Sequence, residues 1–316
     1  MKPALELPSS IGDELLTSLV SSVELDLPEL FIDTVTWAQT MLVFREHSPA
    51  ELARALEALT FQLRDFISEA DEAVARDTLR RARDELSVVR LIEGSLIDET
   101  TETGAIARRY LNAILEGDEA RAAREVLLAI AYGQKTLDVY QKILSPVMQE
   151  VGRLWQRNEI TIAHEHIITN ATERIMAQLM DLSPPRAHRD LCAITVAVGD
   201  ATHELGARMV ADAFVLCGWQ ASFLGRQVPV DDVLRYLEGV SVDVIACSAT
   251  LCRDVPAIRE LIEAFESQPI APVVIVGGSA FDRYPALWQR IGADGYSPSP
   301  LMAVALANEL ISDCGA

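Results

Sequence analysis

The periodicity of the apolar residues changes near residue 183, and this change limits the possible folds more than any other feature. Before it, almost the whole chain has helical patterns; after it, short apolar runs alternate with helical patterns. The apolar runs are 191–198, 220–224, 242–248 and 272–277. The helical patterns beside them are 204–217, 230–239, 254–267 and 283–291. Strands and helices that alternate at this spacing predict a doubly wound, Rossmann-like parallel sheet with right-handed crossovers.

The helical half is predicted to form two domains, and 183–188 is interpreted as the linker that follows them. Residues 1–100 make an acidic helical module, in which Ser48-Pro49 marks a helix start. Residues 101–183 contain four helical patterns with short connections, which are typical of an antiparallel bundle. These patterns cover 105–115, 118–132, 134–156 and 161–182. The predicted fold class is therefore α + α/β: an N-terminal helical module and four-helix bundle cap, followed by a Rossmann-like domain over 190–316.

Charge and hydropathy exclude several kinds of partner. The chain has 316 residues and a formal net charge of −20, and residues 1–100 carry 9 basic against 20 acidic side chains. Because nucleic-acid phosphates are bound by clustered Lys and Arg, we expect no nucleic-acid partner. No apolar run reaches the ~18 residues of a membrane span. The N-terminus lacks signal-peptide features, and the five cysteines have no Cys-x-x-Cys spacing, so we expect a cytoplasmic protein without membrane contact.

Three groups of residues lie at the carboxyl ends of predicted strands. They are His203 and Gly206 after the first strand, Ser248 and Thr250 at the end of the third, and Gly277-Gly278 at the end of the fourth. Open α/β sheets bind their ligands at this edge, and a neutral imidazole there can coordinate a metal. Each group also has an ordinary structural explanation, since loop histidines are commonly solvated and Ser, Thr and Gly form turns. Their joint order and spacing favour a ligand site.

In this combination the residues resemble the cobalamin-binding domain of methionine synthase, corrinoid methyltransferases and CarH-type photoreceptors. The resemblance implies that the loop His203-x-x-Gly206 supplies the lower axial ligand of cobalt through His203, with Gly206 giving room beside the corrin. It also implies that Ser248 hydrogen-bonds the displaced dimethylbenzimidazole tail. Gly277 and Gly278 would flank the nucleotide loop of that tail.

Two positions depart from the family pattern. Ala201 stands where the family has an acid, and Asp200 beside it is the alternative partner for the histidine ring. Thr250 stands where the family has the leucine of its Ser-x-Leu strand end. Outer acids fix the tautomer and basicity of a metal-bound histidine, so these changes would retune the histidine–cobalt bond. A degenerate member that no longer binds cobalamin is a further reading.

A second signal lies in the helical half of the chain. Trp155 ends one helical pattern, 156–159 breaks it, and Glu165 and His166 lie near the start of the next. A core tryptophan followed by solvated first-turn residues would also explain this pattern. However, Trp155-x9-Glu165-His166 resembles the Trp-x9-Glu-His signature by which CarH-type light sensors recognise the adenosyl group above cobalt. The resemblance thus implies adenosylcobalamin, with Trp155 packed on the adenosyl group and Glu165 and His166 near it.

The resemblance covers about 101–300 and is strongest to photocobilins, which lack the DNA-binding winged helix and add a bilin. It implies a light sensor, not an enzyme, that signals through self-association or a downstream signalling protein. Biliverdin is the expected second chromophore, with no residue assigned to it. Gln156 replaces the histidine that captures cobalt after photolysis, so a bis-histidine adduct would require His164 or His166. The alternative is a corrinoid carrier that passes methyl groups between methyltransferases and has no need of the Trp155 signature.

Overall fold

The structure, a computed structural model, describes residues 9–62, 69–86, 94–183, 190–198, 203–266 and 271–314. The chain divides into two compact units. Unit 1 consists of residues 1–95 and 151–162, and unit 2 consists of 96–150 and 163–316. Three of the features discussed above lie outside the described residues: Asp200, Ala201 and linker residues 184–188.

Unit 1 is built from helices packed on an apolar core. The helices are α1 (Ser9–Glu24), α2 (Pro28–Phe44), α3 (Pro49–Gln62), α4 (Glu69–Glu85) and the last turns of α8 (Ser145–Gln156). The core residues include Leu15, Leu19, Phe31, Leu42, Leu56 and Leu79. The predicted start of α3 is confirmed, because the Ala50 N–H donates to Ser48 Oγ and the Ser48 N–H donates to Glu51 Oε1. This exchange resembles a capping box, which satisfies amide donors that the first turn leaves without helical partners.

The first part of unit 2 is a helical cap. Its elements are α5 (Glu102–Leu115), α6 (Glu119–Ala131), α7 (Thr136–Val139), a π-helical segment (Tyr140–Leu144), the start of α8, and α9 (Ile162–Leu182). Side-chain oxygens cap two of these helices: Thr101 accepts from the Gly104 N–H, and Asp118 accepts from the Arg121 N–H. The pattern over 134–156, predicted as one helix, is thus a helical run that contains a π-helical segment.

The rest of unit 2 is a parallel sheet with helices between its strands. The strands are β1 (Cys192–Val198), β2 (Gln220–Val228), β3 (Val244–Ser248), β4 (Val273–Gly277) and β5 (Gly295–Tyr296). The helices are α10 (Leu205–Leu216), α11 (Val230–Leu237), α12 (Val255–Glu266), α13 (Ser279–Arg283), α14 (Leu287–Arg290) and α15 (Pro300–Cys314). Within the described residues the strand order is β2-β1-β3-β4-β5, and all pairs are parallel. The predicted α + α/β, Rossmann-like fold is confirmed.

Three details of the sheet prediction are wrong. The helix predicted over 283–291 is only the short α14: α13 already ends at Arg283, and Pro285, which has no N–H, cannot continue helical bonding between them. Strand β5 was not predicted because two residues carry no periodic signal. Strand β2 runs to Val228, past the predicted end at residue 224, because a register irregularity near Gly225 breaks its pattern.

The strand order reverses direction between β1 and β3, and this is where such sheets open a ligand crevice.

In the part of the chain that the structure describes, no helix combines the length and apolar character that crossing a membrane requires.

Candidate functional site

The strand ends predicted to form a ligand slot lie side by side in unit 2. Ser248, the last residue of β3, pairs in register with Gly277, the last residue of β4. The loop after β1 reaches the same place, because a Cβ built on Gly206 would lie 3.0 Å from Ser248 Oγ. Thr250 lies just beyond β3 and is half-buried. The structure thus brings Gly206, Ser248 and Gly277 together at one edge of the sheet.

The two consecutive glycines are required by close approaches of the backbone. A Cβ on Gly277 would lie 2.6 Å from the Ser297 carbonyl oxygen. A Cβ on Gly278 would lie 2.4 Å from the Ala249 carbonyl oxygen, and Gly278 has a φ of +96° and a ψ of 171°, a combination that only glycine adopts readily. The Ala249 N–H donates to the Gly277 carbonyl over 3.0 Å. The Gly-Gly pair therefore lets the backbone at Ala249 and at Ser297 approach the end of β4 directly.

His203 lies just before α10, after residues 199–202, which are outside the described ranges. The residue is exposed to solvent, but the protein groups around its imidazole partly desolvate the ring and so disfavour its charged form. This burial lowers the pKa of His203; the charge of Glu165 raises it and that of Arg253 lowers it. An imidazole that is neutral near pH 7 has a lone pair available for a metal.

Glu165 and His166 lie in the first turn of α9, in the same unit as His203. Glu165 Oε1 accepts a 3.0 Å hydrogen bond from Thr169 Oγ1, and His166 Nε2 lies 3.4 Å from Glu165 Oε2. The His166 side chain is 68% exposed, whereas that of Glu165 is 27% exposed. Because the charge of Glu165 acts on the pKa of His203, the first turn of α9 and the loop after β1 belong to one region.

Trp155 belongs to unit 1, where aromatic and cationic groups surround it. Its indole stacks on that of Trp37, with ring centroids 6.2 Å apart and an interplanar angle of 26°. The guanidinium of Arg45 lies 5.3 Å from the Trp155 ring centroid. Sequence reasoning missed both partners, because more than a hundred residues separate Arg45 from Trp155 and no local pattern records such a contact.

Sequence reasoning also missed a charged cluster between α9 and α10. Glu173 of α9 forms a carboxyl–carboxylate hydrogen bond with Glu204, and burial followed by this bond raises the pKa of Glu173. The Arg208 guanidinium lies 5.0 Å from the Phe223 ring centroid and 3.8 Å from Glu204, and Arg226 lies 3.9 Å from Glu204. The two arginines offset the acidic pair, so the cluster joins cap and sheet beside His203.

Two segments of the chain match known protein families. Residues 106–180 and residues 191–305 each match a family described as "B12 binding domain". The chain contains a B12-binding cap and a B12-binding Rossmann-like domain. A corrinoid cofactor is thus implied by both segments, and the predicted resemblance to cobalamin-binding domains is confirmed.

The similar proteins are mainly corrinoid proteins. This cobalamin-binding protein is 27% identical over 194 residues to dimethylamine corrinoid protein 1 of Methanosarcina acetivorans, a match that covers 59% of this chain and 90% of that protein. It is 23% identical over 175 residues to the HTH-type transcriptional repressor CarH of Myxococcus xanthus, covering 55% of this chain and 58% of the repressor. The solved monomethylamine corrinoid protein of Methanosarcina barkeri shares its fold, with a TM-score of 0.57, 23% identity and coverage of 65% of this chain and 98% of that one.

The slot residues of the cobalamin-binding protein fit a corrinoid with a displaced tail. Gly206 is exposed and has no side chain beside Ser248 Oγ, whereas Gly277 and Gly278 pack directly against neighbouring backbone. His203 offers an accessible imidazole at the end of β1. The roles of these residues, and of Thr250, Trp155, Glu165 and His166, stay predictions.

Proposed function

We propose that His203 is the lower axial ligand of cobalt and that the nucleotide tail of cobalamin enters the slot beside Ser248. The observation that carries this proposal is the 3.0 Å approach between the Gly206 Cβ position and Ser248 Oγ, which joins the histidine loop to the end of β3. When bound, cobalamin supplies a reactive cobalt–carbon bond on its upper face. Of the protein's own groups, His203 would hold the cobalt, Ser248 would hydrogen-bond the tail, and Gly206 would leave the space beside Ser248 Oγ without a side chain.

For the cap and the Rossmann-like domain we propose the function of a corrinoid methyl carrier. The match to the dimethylamine corrinoid protein covers nearly all of that protein, whereas the match to CarH covers little more than half of the repressor. These comparisons support the carrier better than the light sensor that the sequence resemblance implied. The carrier would work with partner methyltransferases and would not itself catalyse the transfer.

A cobalamin light sensor is the second candidate, and one structural observation favours it. Trp155, the first residue of the Trp-x9-Glu-His signature, packs on Trp37 of the N-terminal module, which lies outside both B12-binding segments. A carrier has no evident use for such a module. A sensor needs an element whose conformation depends on the state of its ligand.

A bilin is proposed as a second chromophore only for the light sensor, and the resemblance to photocobilins is its only support. Residues 1–191 contain no cysteine, so a thioether link from the helical half is impossible and biliverdin would bind non-covalently. Protein produced with a biliverdin source should then show a red or far-red band that denaturation releases as free pigment. Protein saturated with cobalamin that never acquires this band would contradict the bilin proposal.

The choice between carrier and sensor can be tested with purified apoprotein and two cobalamins. A carrier is expected to bind methylcobalamin at least as tightly as adenosylcobalamin and to pass its methyl group to an added methyltransferase. A sensor is expected to prefer adenosylcobalamin and to change its sedimentation after illumination. Preference for adenosylcobalamin would overturn the carrier, and a sedimentation coefficient unaffected by light would overturn signalling by self-association. Failure to bind either form would overturn the cofactor assignment itself.

A further inference from the structure

The register irregularity of β2 changes where its side chains point. Thr195 of β1 pairs with Phe223 of β2. Two residues further along β1, Ala197 pairs with Arg226, which is three residues further along β2. The extra residue of β2 falls beside Gly225, whose φ is +100°. Irregularities of this kind are common beside functional sites, where they change the direction of a side chain.

The irregularity brings Phe223 and Arg226 to the same helix. The Phe223 ring centroid lies 5.0 Å from the guanidinium of Arg208 in α10. Arg226 Nε lies 3.9 Å from Oε2 of Glu204, the N-cap residue of that helix. In a regular strand, residues three apart point to opposite faces of the sheet, so one of these two contacts would be lost. The extra residue therefore allows Arg226 to reach Glu204.

The side chain of Glu204 is held by groups from three elements. Arg226 of β2 lies beside its Oε2, and Arg208 Nη2 of α10 lies 3.8 Å from its Oε1. From the cap, Glu173 of α9 forms a hydrogen bond with it. The Glu204 side chain is only 20% exposed, so solvent screens these ion pairs less than pairs on the open surface.

The backbone of Glu204 is fixed as well. Its carbonyl accepts the first hydrogen bond of α10, from the Arg208 N–H over 3.0 Å. N-cap side chains commonly accept from first-turn amides, but within the described residues Glu204 makes no such bond, because its carboxylate is directed to the groups described above. His203 directly precedes Glu204, and consecutive Cα atoms lie about 3.8 Å apart. Fixing Glu204 thus fixes one end of the His203 backbone.

We infer that Glu204 is a positioning residue for His203, and that Arg226, directed by the irregularity of β2, keeps Glu204 in place. The inference rests on the proposed function, in which His203 coordinates cobalt. All of the groups involved belong to unit 2. Because Glu173 belongs to the cap, the position of His203 also depends on the contact between the cap and the sheet.

The first test compares the absorption spectra of methylcobalamin bound in the dark to the parent and to Arg226 variants, with His203→Ala as the reference that lacks the histidine. Arg226→Ala removes one ion pair of Glu204. The fraction of bound cofactor with histidine coordinated should therefore fall, and the affinity should drop about two- to fivefold. Arg226→Lys keeps the charge at a contact too long for a hydrogen bond and should remain near the parent. Arg235→Ala is the matched control, because Arg235 is an exposed arginine of the same unit, paired with Asp232.

A second variant acts on Glu204 itself. Glu204→Gln removes the charge that attracts both arginines but keeps the size of the side chain and a hydrogen bond to Glu173. Since this change affects two ion pairs, the histidine-coordinated fraction should fall further than in Arg226→Ala, with a loss of affinity on the order of tenfold.

A further readout does not require cobalamin. Amide hydrogen exchange over the first turns of α10 in the apoprotein should be faster in Arg226→Ala and Glu204→Gln than in the parent or in Arg235→Ala. Exchange in Arg226→Ala that is no faster than in Arg235→Ala would contradict the inference.

The outcomes separate this inference from the proposed function. A parent that binds no methylcobalamin, or whose bound spectrum equals that of His203→Ala, overturns the proposed function and this inference with it. A parent with histidine coordinated, together with Arg226→Ala and Glu204→Gln variants that coordinate the same fraction, overturns only the positioning role. Weaker binding with an unchanged fraction also overturns that role, because a purely structural effect lowers the affinity without releasing the histidine from the bound cofactor.

Discussion

The phenol of Tyr140 donates a 2.7 Å hydrogen bond to Oδ2 of Asp212, which links the π-helical segment of the cap to α10 of the Rossmann-like domain. The Tyr140 side chain is fully buried, and this burial, followed by the charge of Asp212, raises its pKa. Burial also raises the pKa of Asp212, although the bond from Tyr140 lowers it in part. π-Helical segments are rare and concentrate at functional positions. We therefore expect this contact between cap and Rossmann-like domain to contribute to the function or stability of the protein.

The raised pKa of Asp212 predicts how the stability of this joint depends on pH. The carboxyl of Asp212 binds its proton more tightly in the folded protein than in the unfolded chain. The unfolding free energy therefore falls as the pH rises from about 4, the pKa of this carboxyl in the unfolded chain, through its higher pKa in the folded protein. Asp212→Asn removes the ionisation but still accepts from Tyr140. We therefore expect the variant to gain stability on the parent between about pH 4 and pH 7, as measured by urea unfolding at both values.

Tyr140→Phe is the partner experiment. It leaves the Asp212 carboxylate without its hydroxyl donor and should cost about 1–3 kcal/mol, more at neutral than at acidic pH. If the unfolding free energies of the parent and of Asp212→Asn fall in parallel between about pH 4 and pH 7, Asp212 does not cause the pH dependence.

Cobalt ligation by His203 predicts a spectroscopic change without a large loss of stability. Since His203 is exposed, His203→Ala should unfold within roughly 0.5 kcal/mol of the parent in the absence of cobalamin. Its bound cobalamin should lack the features of histidine coordination and should bind more weakly. His47→Ala is the control, because His47 pairs with Glu51 in unit 1 and belongs to neither B12-binding segment. An unchanged spectrum in the His203→Ala protein would refute the assignment.

The sequence predicted the middle of the sheet well and its borders poorly. Strands β1, β3 and β4 are buried almost throughout, so they appear as unbroken apolar runs that can be read directly. Strand β2 pairs only with β1 among the described strands and contains exposed and half-buried residues but no buried one. Its irregular register made its second half hard to predict. Residues at the ends of buried strands, such as Ser248 and Gly277, could therefore be placed at one edge of the sheet from the sequence.

Contacts between distant segments were out of reach of the same reasoning. Arg45 and Trp155 are 110 residues apart, and Tyr140 and Asp212 are 72 apart. The periodicities of helices and strands predict contacts only between neighbours within one element, so they predict neither pair. The motif identified Trp155 as a candidate, but only the packing of α2 reveals what holds it.

The acidity of the N-terminal module predicts that the protein does not bind DNA. With 20 acidic and 9 basic side chains in residues 1–100, the module would repel a phosphate backbone. A gel-shift assay at low salt, where electrostatic binding is strongest, should therefore show no complex. A sequence-specific shift would mean that a recognition surface exists despite the charge, and it would bring the protein functionally closer to a repressor.

The last prediction separates backbone strain from steric contact at the Gly-Gly turn. Gly278 and Gly133 have nearly the same φ, +96° and +95°, but a Cβ on Gly278 would lie 2.4 Å from the Ala249 carbonyl oxygen, whereas none of the described residues lies within 4 Å of one on Gly133. Gly133→Ala should therefore cost only the strain of a positive φ, about 1–2 kcal/mol. Gly278→Ala adds a backbone collision and a disfavoured ψ, so its cost should be on the order of 3–5 kcal/mol. Thermal unfolding of both apoproteins measures the difference. Equal losses would mean that the turn can open without penalty, and the slot would then not be held by the Gly277-Gly278 pair.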